Sequence, residues 1–155
     1  MSAAVVISLE RPDSEDAIAL ITELEAQLDP LYPSESRHGY SVEKLLREGV
    51  SFFVIRDGDG VPIGCGGVQF FGTEYGEIKR MYVRPQFRGL GFARLMLDHL
   101  SEFTRNNSIS VLRLETGIHQ LEAIGLYEHA GFYLIPPFGT YQPDPLSRFY
   151  EKQIC

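Results

Sequence analysis

The stretch Glu77–Leu97 reads EIKRMYVRPQFRGLGFARLML, and its hydrophobic period changes partway along. Glu77 to Val83 reads as a strand, whereas Gly91 to Thr104 carries Phe92, Leu95, Met96, His99, Leu100 and Phe103 along one side of a helix. Between them stands Gln86-Phe87-Arg88-Gly89-Leu90-Gly91-Phe92-Ala93, with two glycines one residue apart, directly after a strand and opening a helix. Glycine lets a backbone approach a ligand closely. The first-turn amides point outward and the helix dipole adds partial positive charge, which makes the turn a candidate phosphate or pyrophosphate site. It is not a P-loop, because no Lys or Ser follows Gly91. It is a poor dinucleotide fingerprint, because Arg94 stands where the third glycine belongs.

Downstream, Val111–Glu115 (VLRLE) reads as another strand, so Glu77 to Glu115 forms a strand-helix-strand unit. Such a crossover is right-handed and joins parallel strands. Leu121 to Gly131 follows as a second helix ended by its glycine, and a last short strand is expected around Arg148 to Gln153. Upstream, Ser51–Asp57, the Asp57-Gly58-Asp59-Gly60 turn and Val61–Phe71 form a β-hairpin, extended by Glu77–Val83 into a three-stranded meander. Nearer the start, Val5–Leu9 reads as a first strand. A helix capped by Asp13 or Ser14 then runs to Asp29-Pro30, and a short helix follows from Ser41 to Leu46. The expected class is α/β: a mixed, mainly antiparallel sheet with one parallel strand pair at the cofactor site, flanked by helices, in a single domain over residues 1–155.

Two motifs together resemble a known family. Gln86, Gly89 and Gly91 match the [Q/R]-x-x-G-x-[G/A] signature of the GNAT superfamily of N-acetyltransferases. Ala123, Leu126, Tyr127, Gly131 and Phe132 match its second motif, A-x-x-L-Y-x-x-x-G-F, in the right order and with a strand between. The resemblance implies acetyl-CoA as co-substrate. It implies that the strand end Met81, Tyr82 and Val83 receives the pantetheine arm. Gln86 and the amides of Arg88, Gly89, Leu90, Gly91, Phe92 and Ala93 would hold the pyrophosphate. Gln120 stands where many members carry Asn, and it makes similar hydrogen bonds at longer reach. Tyr127 would sit beside the thioester sulfur and donate a proton to the leaving thiolate.

Direct transfer needs a neutral amine. A lysine-like amine with pKa about 10.4 is uncharged at pH 7 in roughly one molecule in 2,500, a cost of about 4.6 kcal/mol; an α-amino group costs only about 1 to 1.4 kcal/mol. A carboxylate that relays the proton through water is therefore useful. Glu77 is the expected acceptor, on the strand leading to the glycine turn, where the family often places an acid. Alternation puts it on the face of Met81 unless a bulge intervenes, and it sends Lys79 and Arg80 to opposite sides as solvated cations. The acceptor pocket is expected in the irregular segments, with Tyr32, His38, Glu115 and Tyr141 offering aromatic walls and a few polar groups.

Composition bounds the rest. Of 155 residues, 44% are hydrophobic and 23% charged, as in an ordinary folded domain. The net charge of −7 disfavours a general nucleic-acid binder. No apolar run reaches the roughly 18 to 20 residues that span a bilayer, so no membrane partner is expected. Cys65 and Cys155 make neither a disulfide framework nor a zinc site, Cys65 reads as a small buried residue, and the four histidines form no metal site. A reducing, cytoplasmic setting is expected, with a homodimer as the superfamily-level expectation. Between Lys79 and Arg94 lie five basic residues and no acidic one, a local +5 in a chain of −7 that leaves −12 on the remainder. A polyanion such as CoA suits that segment, and a cationic amine suits the acidic remainder. The expected activity is transfer of acetyl from acetyl-CoA to the primary amine of a small or amino-acid-like molecule. Its rivals are peptide or protein N-acetylation and a non-catalytic acyl-CoA-binding regulatory domain.

Overall fold

In the computed structural model, which describes residues 4–155, successive residues of β2 (Ser51–Arg56) enter two different cores. Phe53 and Ile55 pack with Met96, Leu97 and Leu100 of α3 (Phe92–Asn106), and Ile124 of α4 (Leu121–His129) joins the same cluster. Phe52 and Val54 pack with Ala17, Leu20 and Leu24 of α1 (Glu15–Leu28), and with Leu45 of α2 (Val42–Arg47). The period of two in a strand with both faces covered thus builds the three layers, helices on either side of a sheet. Ser14 and Ser41 cap α1 and α2, each accepting a backbone N–H through its side-chain oxygen.

The sheet has seven strands in the order β1-β2-β3-β4-β5-β7-β6. Its remaining members are β1 (Val6–Leu9), β3 (Pro62–Phe71), β4 (Tyr75–Val83), β5 (Val111–Gly117), β6 (Tyr133–Ile135) and β7 (Ser147–Gln153). Every pairing is antiparallel except that of β4 with β5. The expected mixed α/β architecture is observed, including the parallel pair produced by the crossover through α3. Three local differences stand out. β4 begins two residues earlier than expected, at Tyr75, and β5 continues to Gly117. β6 was not expected at all: three residues squeezed between the glycine stop at Gly131 and Pro136-Pro137, paired with β7 at the sheet edge.

The consequential difference lies inside β4. Arg80 adopts φ of 57°, and the β3–β4 register slips between Cys65 and Gly67, so a bulge breaks the alternation. Arg80 turns toward α1, where its guanidinium pairs with Glu25 and its Nε donates to the Tyr40 carbonyl at 2.9 Å. Lys79 is on the same side, its ammonium 3.9 Å from the centre of the Tyr40 ring. The expectation of two solvated cations on opposite faces is thus corrected: both are buried, at 6% and 8% exposure, and both face the α1 side. Met81, by contrast, packs into the α3 core beside Met96, away from Glu77. The bulge separates those two residues, which strict alternation would have placed together.

Beyond the bulge the sheet opens. β4 and β5 pair only through Gly76–Leu112 and Glu77–Arg113, and from there the strands diverge. Two cavities lie at the gap between their C-terminal ends.

Candidate active site

The second cavity, about 290 Å³, runs from the end of β4 to the first turn of α3. Met81, Tyr82, Val83, Arg88, Gly89, Gly91, Phe92 and Ala93 all border it. Gly89 and Gly91 have φ of 76° and 87°, left-handed values that exclude most side chains, and a Cβ built at either would meet nothing within 4 Å. The turn is therefore open on its outer side, and Gly91 caps a 15-residue helix without any side chain to occupy its first amides. Such a cradle fits a pyrophosphate. Gln86 and Leu90 are exposed and border neither cavity; Arg94, the last of the basic segment, joins the wall, as do Phe87, Glu122 and Leu126, which were not anticipated.

The first cavity, about 370 Å³, lies on the α1 side of the gap. Tyr32, His38, Glu115 and Tyr141, drawn from three separate segments, line it together. Gln120 lines this cavity rather than the groove at α3: the Tyr32 hydroxyl donates to its Oε1 at 2.7 Å and accepts the His119 amide at 2.9 Å. The same hydroxyl sits against Gly117, where a Cβ would come within 2.0 Å of it. His38 Nε2 lies 3.1 Å from Asp144 Oδ2, which anchors the loop after α1 to the segment before β7.

The two cavities share Met81, Ala123 and Tyr127, so Tyr127 stands at their junction. It is 5% exposed, and burial, reinforced by the Glu115 charge, raises its hydroxyl well above the ordinary phenol range. Tyr127 therefore keeps its proton at neutral pH and is available as a donor.

Glu77 and Glu115 have different surroundings. Glu77 is 2% exposed and does not line either cavity; its Oε2 accepts Lys79 Nζ at 2.8 Å and the Tyr141 hydroxyl at 2.6 Å. Burial raises the Tyr141 hydroxyl, with the Glu77 charge adding to it, and desolvation lowers the Lys79 ammonium. Glu115 opens directly onto the first cavity, and Ser147 Oγ donates to its Oε2 at 2.7 Å. Desolvation raises its carboxyl above the ordinary 4.5, against the lowering effect of the Ser147 hydrogen bond. A carboxylate with a raised pKa beside a cavity is a better proton acceptor than one already holding an ammonium. Cys65, by contrast, is inert: burial pushes its thiol up to about 12 and its Sγ donates to the Arg80 carbonyl.

Sequence reading missed Glu25, Arg37, Lys79 and Arg80 on the wall of the first cavity. The bulge brings Arg80 there, beside Lys79 on the face of Glu77, and no local signal in β4 marks it.

Residues 18–132 match the model of the acetyltransferase (GNAT) family. The chain is 41% identical over 152 residues to an IAA acetyltransferase of Azospirillum brasilense, covering 97% of this chain and 98% of that one. It is 31% identical over 150 residues to the uncharacterized N-acetyltransferase YsnE of Bacillus subtilis, covering 96% and 99%. Among solved structures, a candidate acyl-CoA N-acyltransferase from Klebsiella pneumoniae superposes with a TM-score of 0.84 at 36% identity, covering 97% and 98%.

Proposed function

Since the chain belongs to the GNAT family of acetyltransferases, we propose that it transfers the acetyl group of acetyl-CoA directly to the amine of a small molecule, with residues 1–155 acting as one transferase domain. The observation that carries this reading is the junction at Tyr127 between an open glycine turn and a separate cavity of about 370 Å³. That volume is near the lower end of small-ligand sites, about 300 to 1,000 Å³.

Acetyl-CoA supplies an activated acyl thioester. The turn Arg88–Ala93 and the amides of α3 hold its phosphates, and the free edge of β4 beyond Glu77 receives its extended arm. The acceptor enters from the α1 side. Glu115 takes the proton from the attacking nitrogen, directly or through one water, because it borders the cavity and prefers protonation more than an ordinary carboxyl. Tyr127 gives its phenolic proton to the departing sulfur, because it is buried, protonated and common to both cavities. Glu77 has a positioning role, fixing Lys79 and Tyr141 on the cavity wall through one carboxylate oxygen. The amine attacks without a covalent enzyme intermediate, and neither the buried Cys65 nor the exposed Cys155 lines either cavity.

Thermal denaturation with acetyl-CoA, ATP and NAD tests the donor site, and thiol release against a panel of amines, amino acids and peptides tests transfer. Stabilisation by acetyl-CoA alone, with acceptor-dependent thiol release, is expected. Equal stabilisation by ATP, or none by any CoA ester, would overturn the reading.

A further inference from the structure

The first cavity carries cations for which acetyl transfer has no use. Arg37 from the loop after α1 and Lys79 and Arg80 from β4 all line it, on the side that faces α1. Their side chains are only 22%, 6% and 4% exposed. Lys79 is balanced by Glu77 behind the wall. Arg80 and Arg37 are different, because they share a single carboxylate: Glu25 Oε1 faces Arg80 and Glu25 Oε2 faces Arg37. The remaining partner of Arg37, Asp29, is 75% exposed on the outer rim, where water screens it. The two guanidinium groups thus share Glu25, whose side chain is 37% exposed, and both still border the cavity.

The placement of Arg80 is held by the fold. Its left-handed backbone is unfavourable for a residue with a Cβ, yet this conformation aims the side chain into the cavity wall. The loop presses against it at Gly39, where a Cβ would lie 2.2 Å from Arg80 Nη1, so only glycine admits the guanidinium there. Of the five N–H donors, Nε serves the Tyr40 carbonyl and Nη2 serves Glu25; among the described residues, the Nη1 pair has no protein acceptor. Planar, doubly donating groups of this kind match a carboxylate. The Glu115 carboxylate interacts with Lys79 and His38, so the cavity has a proton acceptor on the β5 side and guanidinium donors on the α1 side.

We propose that the acceptor carries a carboxylate as well as its amine, the carboxylate held by Arg80 and Arg37 while the amine faces Glu115 and Tyr127. The substrate class is then a free amino acid or another small amino-carboxylate, with Tyr32 and Tyr141 flanking its side chain. This rests on the transferase reading above and deepens it. A polyamine has nothing to offer Arg80, and an internal peptide residue has lost the carboxylate.

The test is thiol release from acetyl-CoA with the natural amino acids, each paired with its amide, alongside spermidine and short amidated peptides. Acetyl-CoA binding is measured on the same protein by calorimetry. Free acids are expected to react with kcat/KM at least about tenfold above their amides. Arg37→Gln and Arg80→Lys are expected to shrink that ratio by about tenfold, mainly through KM, while acetyl-CoA affinity stays within about twofold. If Arg80→Lys fails to fold, Arg37→Gln alone decides. A purely structural role for the two arginines would lower stability and leave the acid-to-amide ratio unchanged, which overturns the proposal. Amides reacting as fast as acids, or turnover of spermidine or peptides only, also overturns it and leaves the transferase reading intact. If no acceptor reacts although acetyl-CoA binds, the carboxylate proposal fails; if acetyl-CoA does not bind either, the transferase reading fails with it.

Discussion

The Tyr141 hydroxyl donates a 2.6 Å hydrogen bond to Glu77 Oε2, the same oxygen that accepts the Lys79 ammonium at 2.8 Å. One carboxylate atom thus ties the loop before β7 to the middle of β4. Glu77→Gln would leave Lys79 buried without its counter-charge, a loss of about 3 to 5 kcal/mol for a buried pair broken on one side. Urea denaturation is expected to show that loss, and activity normalised to folded protein should fall far less than for Glu115→Gln. A normalised loss as deep as that of Glu115→Gln would return Glu77 to the role of proton acceptor.

Glu115→Gln is expected to lower kcat by about 10²- to 10⁴-fold, the range of a positioned acid or base, and to abolish the acidic limb of the pH–rate profile. The stability effect has the opposite sign. Because the folded carboxyl titrates above its unfolded value, its contribution to stability is greatest when protonated and declines as pH rises through the folded pKa. At neutral pH the neutral amide should therefore be at least as stable as the wild type, provided the Ser147 contact survives. Paired denaturation curves at acidic and neutral pH check this.

Tyr127→Phe removes a buried hydroxyl at the junction of the two cavities. The expected result is a fall in kcat of about 10²-fold or more with acetyl-CoA affinity nearly unchanged. An unaltered rate across the pH range would eliminate the proton-donor role.

Gly91→Ala places a Cβ where nothing obstructs it, yet at φ of 87°. The cost of left-handed backbone in a non-glycine residue is about 1 to 2 kcal/mol. A matching loss of stability and weaker acetyl-CoA binding by calorimetry are expected. Acceptor KM should change little.

Tyr32→Phe deletes the hydroxyl that bridges the His119 amide and Gln120 Oε1. Losing a hydrogen bond of this kind costs about 1 kcal/mol, more where a donor is left unsatisfied. The loosened β5–α4 turn should appear as a raised acceptor KM, since Tyr32 and Gln120 line the first cavity.

The element types were legible because each follows from local chemistry. Alternating cores made β2, helical spacing and a serine cap made α1, and the paired glycines after β4 marked the start of α3. β6 was not legible, because three residues carry too little pattern and exist as a strand only through β7. Gln86 and Leu90 share a motif with the groove residues, and their side chains are exposed outside both cavities.

By itself the sequence determined the order of strands and helices apart from β6, the glycine turn and the place of Tyr127 in its motif, all of which depend on neighbours within one or two turns of chain. Only the tertiary structure decided which carboxylate borders the first cavity and what surrounds it. The bulge at Arg80 depends on the register of β3 against β4, and that slip turns Arg80 to the α1 side beside Lys79 and Met81 away from them. Glu25, Tyr40 and Tyr141, which satisfy the resulting buried charges, come from 55, 40 and 62 residues away in the chain. Burial and pairing between such distant groups set charge and proton affinity, and neither is encoded in the period of a single strand.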